Sequence, residues 1–141
     1  MSNKGPAPRT LTDAELAEIL AAQQFGVLAT VKRSGHPAMS TVLYSWDPSA
    51  RVIRISTTAD RLKAKQVRNN PHIALHVNGP TVWSFAVAEG DAEVSDSPAE
   101  LLAAAGHQDD PETFLREQAA EGRVVIKLRV TRLYGTALDV G

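Results

Sequence analysis

The chain contains no cysteine, so it has no disulfide scaffold, no thiolate nucleophile and no cysteine-held metal. Aromatic residues make up only 5% of its 141 residues, which makes each tryptophan informative. An excess of one charge is also lacking, since 15 Lys plus Arg face 16 Asp plus Glu. That balance argues against a generally basic nucleic-acid binder. No run approaches the roughly 20 apolar residues that span a bilayer. The opening MSNKGPAPRT has no apolar core of the kind that marks a secretory signal. The expectation is a soluble cytoplasmic protein with neither nucleic acid nor membrane as a partner. What is present suffices for one domain with a modest core, at 43% hydrophobic residues.

Charge is unevenly spread along the chain. Residues 51–70 hold Arg51, Arg54, Arg61, Lys63, Lys65 and Arg68 against Asp60 alone. Residues 89–121 hold ten acids and a single base, Arg116. The first segment can hold a small polyanion, and the second repels one. A solvated acidic face is the plainer reading of the second.

Residues 1–11, with Gly5, Pro6 and Pro8, read as a flexible lead before a single domain over 12–141. Thr12 and Glu15 form a capping box for a helix reaching Gln23, with Leu16, Ile19 and Leu20 as its apolar stripe. The period then changes to that of strands over Phe25–Val31, Ala38–Trp46 and Arg51–Thr57. Turns at Ser34-Gly35 and Asp47-Pro48 join them into a meander. Asp60–Val67 is helical in composition and stops at Asn69-Asn70-Pro71. Ile73–Val77 and Thr81–Val94 are strands, with Gly90 as a bulge or bend in the second. Ser97–Gly106 and Pro111–Ala120 are helices, and Val124–Leu133 is the last clear strand, with Tyr134–Ala137 continuing after a bend. Six or so strands with short peripheral helices predict a closed or nearly closed antiparallel barrel, because closure removes unpaired edges.

The strongest chemical lead is STTADRLKAKQVR at 56–68. The hydroxyls of Ser56, Thr57 and Thr58, the amides of a helix start, and Arg61 with Lys63 can jointly bind a phosphate. With Asp60 as helix cap, Arg61 and Lys63 lie in the first turn, where bases oppose the dipole unless an anion uses them. A solvated basic helix is the competing reading. In MSTVLY, Ser40 and Val42 share one parity, and Met39 and Thr41 share the other. Ser40 or Thr41 can bond a heterocycle or serve the structure. Trp83 can stack on a flat cofactor or fill an interface. His72 and His76 stand about 13 Å apart on one strand face, so they make no metal site. No G-x-S-x-G, H-E-x-x-H, Walker or G-x-G-x-x-G motif occurs. No catalytic residue and no metal ligand is assigned, so the chemistry points to a bound cofactor.

Four segments in order, FGVLATVKRSGHPAMSTVLYSWD, ISTTADRLKAKQVRNNPHIALHV, WSFAVAEGDAEV and RVVIKLRVTRLYG, carry a resemblance from about Leu16 to Gly135. The chain resembles the split-barrel flavin-binding superfamily of pyridoxamine-phosphate-oxidase-like proteins. More closely, it is similar to the small actinobacterial branch that uses deazaflavin coenzyme F420. The resemblance implies a mainly-β fold, a six-stranded antiparallel FMN-binding split barrel with short peripheral helices. It also implies a homodimer whose cofactor grooves are built by both subunits. By the same resemblance Arg61 and Lys63 hold the cofactor phosphate, and Lys65 and Arg68 contact a longer polyanionic tail or solvent. Ser56 and Thr57 approach the ribityl phosphate, Met39, Ser40, Thr41 and Val42 lie beside the ring, and Trp83 stands near it from the second subunit. The activity implied is F420H2-dependent reduction of a conjugated organic acceptor. FMN as the cofactor, or an F420 carrier without turnover, are the alternatives. The longer extensions of authentic pyridoxamine-phosphate oxidases are not evident, which points away from pyridoxamine phosphate as the substrate.

Overall fold

Residues 7–138 are described by the computed structural model. In chain order the elements are β1 (Arg9–Thr10), α1 (Asp13–Ala22), β2 (Phe25–Val31), β3 (Pro37–Leu43), β4 (Ser45–Asp47), β5 (Val52–Thr58) and α2 (Leu62–Asn69). There follow β6 (His72–Asn78), β7 (Phe85–Ser95), α3 (Pro98–Ala105), α4 (Pro111–Glu121), β8 (Arg123–Tyr134) and β9 (Thr136–Ala137). None of these helices is long and apolar enough to cross a membrane.

Strand periodicity sets the inside of the sheet. Gly26, Leu28 and Thr30 of β2, Ile73, Leu75 and Val77 of β6, and Ile53, Ile55 and Thr57 of β5 are buried, while their neighbours are more exposed except Val52, which is buried as well. Seven antiparallel strands follow the order β3-β2-β6-β7-β8-β5-β4. The sheet curls until β3 approaches β5, without closing on itself. This is the expected mainly-β split barrel, with the helices outside.

The strand expected over Ala38–Trp46 is divided at Tyr44, which is why the sheet has a seventh strand. The Tyr44 amide bonds to the Gln24 carbonyl at 3.0 Å, and its buried hydroxyl donates to the Leu20 carbonyl at 2.6 Å. These two bonds turn the chain from one sheet edge to the other, so β3 and β4 face each other across the split. Burial pushes the Tyr44 hydroxyl up to about 12. β7 begins at Phe85 rather than Thr81 because Ser84 closes a turn, its amide donating to Thr81 and its carbonyl accepting from Gly79.

Caps set the helix ends. Thr12 and Glu15 form the expected capping box, and Ser97 and Asp110 cap α3 and α4. Of the lead expected over 1–11, residues 1–6 lie outside the described residues. Arg9–Thr10, within the same expected lead, pairs with Thr136–Ala137 and Leu11 is buried, so a ladder and a core contact hold this stretch.

Of the bulge or bend expected at Gly90, the strand forms the bulge. Register shifts between Glu89 and Gly90, so that Thr131 of β8 is the extra residue. An added methyl at Gly90 meets the Arg129 carbonyl oxygen at 2.0 Å. Gly90→Ala is therefore predicted to destabilise the protein by about 3 kcal/mol or more. A shifted midpoint in urea unfolding checks this; an unchanged midpoint contradicts it.

Candidate functional site

One groove of about 650 Å³ lies where the split in the barrel meets α2. β3 supplies Ala38, Met39 and Ser40, β2 and the turn after it supply Thr30 and Lys32, and the β5–α2 corner supplies Thr58, Asp60, Arg61, Leu62, Lys63 and Gln66. Register explains the first pairing, since Thr30 stands opposite Ala38 and Ala29 opposite Met39. Glu121 closes the groove from the end of α4. Thus Arg61, Lys63, Met39 and Ser40, four of the residues expected at a cofactor site, line one groove.

The corner differs in detail from the sequence expectation. Asp60 does not cap α2; the N-cap is Arg61, with no side-chain cap bond. The Asp60 carboxylate instead accepts from the Thr58 hydroxyl at 2.6 Å. That bond, its own backbone amide and the nearby charges of Arg61 and Lys65 hold the carboxyl below its ordinary range. The amides at the start of α2 consequently have no carboxylate cap, and Lys63 stands in the first turn at the positive end of the helix dipole. Lys32, Arg61 and Lys63 make no ion pair with any described residue, nor do Arg33, Lys65, Arg68 and Arg116, whereas Arg51, Arg54, Arg123, Lys127, Arg129 and Arg132 all do.

Other expected residues stand elsewhere. Val42 is 8% exposed and belongs to the core, because its parity turns it inward. Thr41 is exposed opposite Val27 on the outer face of the sheet. Thr57 is buried, whereas Ser56 lines an adjoining pocket of about 400 Å³ with Arg54, Phe114 and Arg123. Lys65 is exposed on α2 but does not line the groove, since Ala64 and Val67 take the buried side and Lys63 and Gln66 the groove side. Trp83 lies by a third cavity of about 760 Å³ beside α1, apart from the groove within one chain. His72 bonds Asp91, and His76 stacks on Phe85 with ring centroids 5.2 Å apart.

Sequence reading missed Thr30, Lys32, Gln66 and Glu121. Gln66 was within reach, one helical turn after Lys63 on the same face. Its amide oxygen accepts from the buried Thr30 hydroxyl at 2.6 Å, which leaves the amide nitrogen as a fixed donor. Lys32 and Glu121 carry no such signal, because only the folded sheet brings them together.

α3 is pinned to β5 and β8 by charge. Glu100 of α3 accepts from Arg54 Nε at 2.7 Å and from Lys127 Nζ at 2.8 Å, and all three side chains are largely buried. Glu121 lines both the groove and the pocket that holds Arg54 and Ser56, so the two spaces meet at the end of α4.

A family model for pyridoxamine 5'-phosphate oxidase matches residues 12–137. Among solved structures, a conserved protein of Mycobacterium tuberculosis superposes with a TM-score of 0.76 at 21% identity, over 99% of this chain and 98% of that one. A FAD-binding protein of Mesorhizobium loti superposes with a TM-score of 0.72 at 20% identity, over 96% and 100%. At those identities the likeness is one of fold. An F420 reductase superposes with a TM-score of 0.62 at 26% identity, over 82% of this chain and 93% of that one.

The Arg54 hydrogen bond, with burial opposing and Lys127 assisting, holds the Glu100 carboxyl below its ordinary range. A lowered carboxyl stabilises the fold above the unfolded value of 4.5, and that contribution disappears as pH falls through the folded value. Glu100→Gln is predicted to cost about 1–3 kcal/mol at pH 7, by leaving Arg54 and Lys127 without their acceptor. The gap between variant and wild type should narrow as pH drops below 4.5. Chemical unfolding from pH 7 to pH 3 checks it; a gap independent of pH contradicts the ionic role.

Proposed function

The chain belongs to the pyridoxamine 5'-phosphate oxidase family, and from that premise we propose that it is an F420H2-dependent oxidoreductase, transferring a hydride between coenzyme F420 and a conjugated organic acceptor. The observation that carries this reading is the cradle at the split. Three cations without ion pairs among the described residues, Lys32, Arg61 and Lys63, converge there with Ser40 and the fixed amide of Gln66. Such a donor set fits a phosphate and leaves it no shortage of hydrogen bonds.

A ribityl phosphate is common to F420 and FMN, so the cradle fits either. The F420 reductase at 26% identity supports F420, as do the exposed Lys65 and Arg68 beside the cradle, which suit an anionic tail. The flavin alternative draws on the FAD-binding protein of the same fold. When bound, the deazaflavin ring supplies a hydride donor or acceptor at its C5. The chain's own part is to bind and orient. Lys32, Arg61 and Lys63 neutralise the phosphate, Ser40 and Gln66 fix its direction, and Met39 offers an apolar surface beside it. Asp60 is held ionised at neutral pH, so it does not serve as a proton donor there.

We further propose that a second copy of the chain covers the outer face of the β2–β3 hairpin. Phe25 and Leu43 are cross-strand neighbours, each 59% exposed, and Met39 is 67% exposed on the same face. Such a contiguous apolar face is costly in water and is relieved by self-association. Because Met39 belongs both to this face and to the groove, the partner would complete the groove's wall.

Titration of the purified protein with F420 and with FMN, read by tryptophan quenching, tests the cofactor. F420 is expected to bind more tightly, with Arg61→Ala and Lys63→Ala each weakening it about ten- to a hundredfold. A preference for FMN moves the protein to the flavin branch, and binding of neither sinks the cofactor reading. Oxidation of reduced F420 by a panel of conjugated acceptors separates an enzyme from a carrier. Leu43→Asp is predicted to convert the dimer to a monomer in analytical ultracentrifugation; a wild-type monomer at micromolar concentration contradicts the dimer.

A further inference from the structure

We infer that Glu121 tunes which phosphorylated cofactor the groove accepts, weakening a terminal phosphomonoester dianion more than a phosphodiester monoanion. The inference rests on the groove being the phosphate site proposed above, and it assigns a selecting role to a residue outside the basic cradle.

The groove's charges are Lys32, Arg61 and Lys63 against Asp60 and Glu121. Asp60 has a local task, since it takes the Thr58 hydroxyl and closes the β5–α2 corner. Glu121 has no comparable one. It is the last residue of α4, a helix that buries no side chain. An acid at that end opposes the helix dipole and weakens the helix. Its one ion pair among the described residues, to Arg123 Nε at 2.9 Å, is solvent-exposed, and pairs of that kind contribute little stability.

Its position is nevertheless fixed. Gly122 adopts a left-handed conformation with φ of 68°, and its carbonyl accepts from the Ala59 amide at 2.9 Å. The next residue, Arg123, pairs with Thr58 in the β5–β8 ladder. The end of α4 is thereby tied to the loop that carries Asp60 and Arg61, and Glu121 is held at the groove.

The basic residues of the groove attract a dianion more than a monoanion, and Glu121 offsets part of that advantage. A phosphodiester is a monoanion, whereas a phosphomonoester carries about −1.5 to −2 at neutral pH. FMN ends in a monoester, whereas the F420 phosphate is a diester. Coulomb repulsion scales with charge, so a fixed carboxylate disfavours the dianion about twice as strongly in free energy as the monoanion.

The test compares wild type, Glu121→Gln and Glu117→Gln in titrations with FMN, F420 and riboflavin. Riboflavin lacks the phosphate and reports on ring contacts alone. Glu117 is exposed on the same helix and does not line the groove, so it controls for general helix charge. Glu121→Gln is expected to tighten FMN about three- to tenfold, F420 by about the square root of that factor, and riboflavin not at all. The FMN gain should shrink as salt is raised. Equal changes for the three ligands, no change, or the same gain from Glu117→Gln would overturn the role of Glu121 while leaving the cofactor reading intact. Failure of wild type and variants alike to bind either FMN or F420 overturns the cofactor reading, and this inference with it.

Discussion

The double ladder of β8 is the constraint on which the rest of the structure depends. Val125 pairs with Ser56 on one side and Ser95 on the other, Ile126 with Ile55 and Val94, and Leu128 with Ile53 and Ala92. These three β8 residues are fully buried. β5 joins the sheet through β8, with only the three-residue β4 beyond it. The position of Thr58, and hence of the Arg61 corner, is therefore inherited from the register of a strand that itself carries no part of the cradle. A slip of one residue in β8 would turn every β5 side chain to the opposite face.

Charge at helix ends is arranged around the groove rather than for the helices. α2 begins with bases near its positive end and has no carboxylate cap; α4 ends on an acid at its negative end. α1 and α3 follow the ordinary pattern, with Asp13, Glu15 and Glu100 in their first turns. The two exceptions are the two helix ends that line the groove. Local helix stability is given up there, and the field in the groove is what changes in return.

Local physics made much of the fold readable in advance. Capping residues, turn glycines and alternating burial are short-range signals, and Thr12, Ser97, Asp110 and Gly90 act as their residue types suggest. The break at Tyr44 was not readable, because its cause is a bond to Leu20 across 24 positions of chain. The site divided in the same way. Arg61 and Lys63 announce themselves by clustering in a short segment. In MSTVLY polar and apolar residues occupy both parities, so nothing local decides that Ser40 and Val42 face inward and Thr41 outward. Trp83 stood out for its rarity, yet within one chain it borders a different cavity.

The absence of buried residues in α4 has an evolutionary meaning. A helix with no buried residue, tied to the β5–α2 loop through Gly122 behind it, is free to accept substitutions that the barrel would refuse. Drift at the end of α4 leaves folding nearly neutral while it changes Glu121, the residue that closes the groove. New ligand preferences are therefore accessible to this scaffold by single steps along a surface helix, with the buried sheet left as it is.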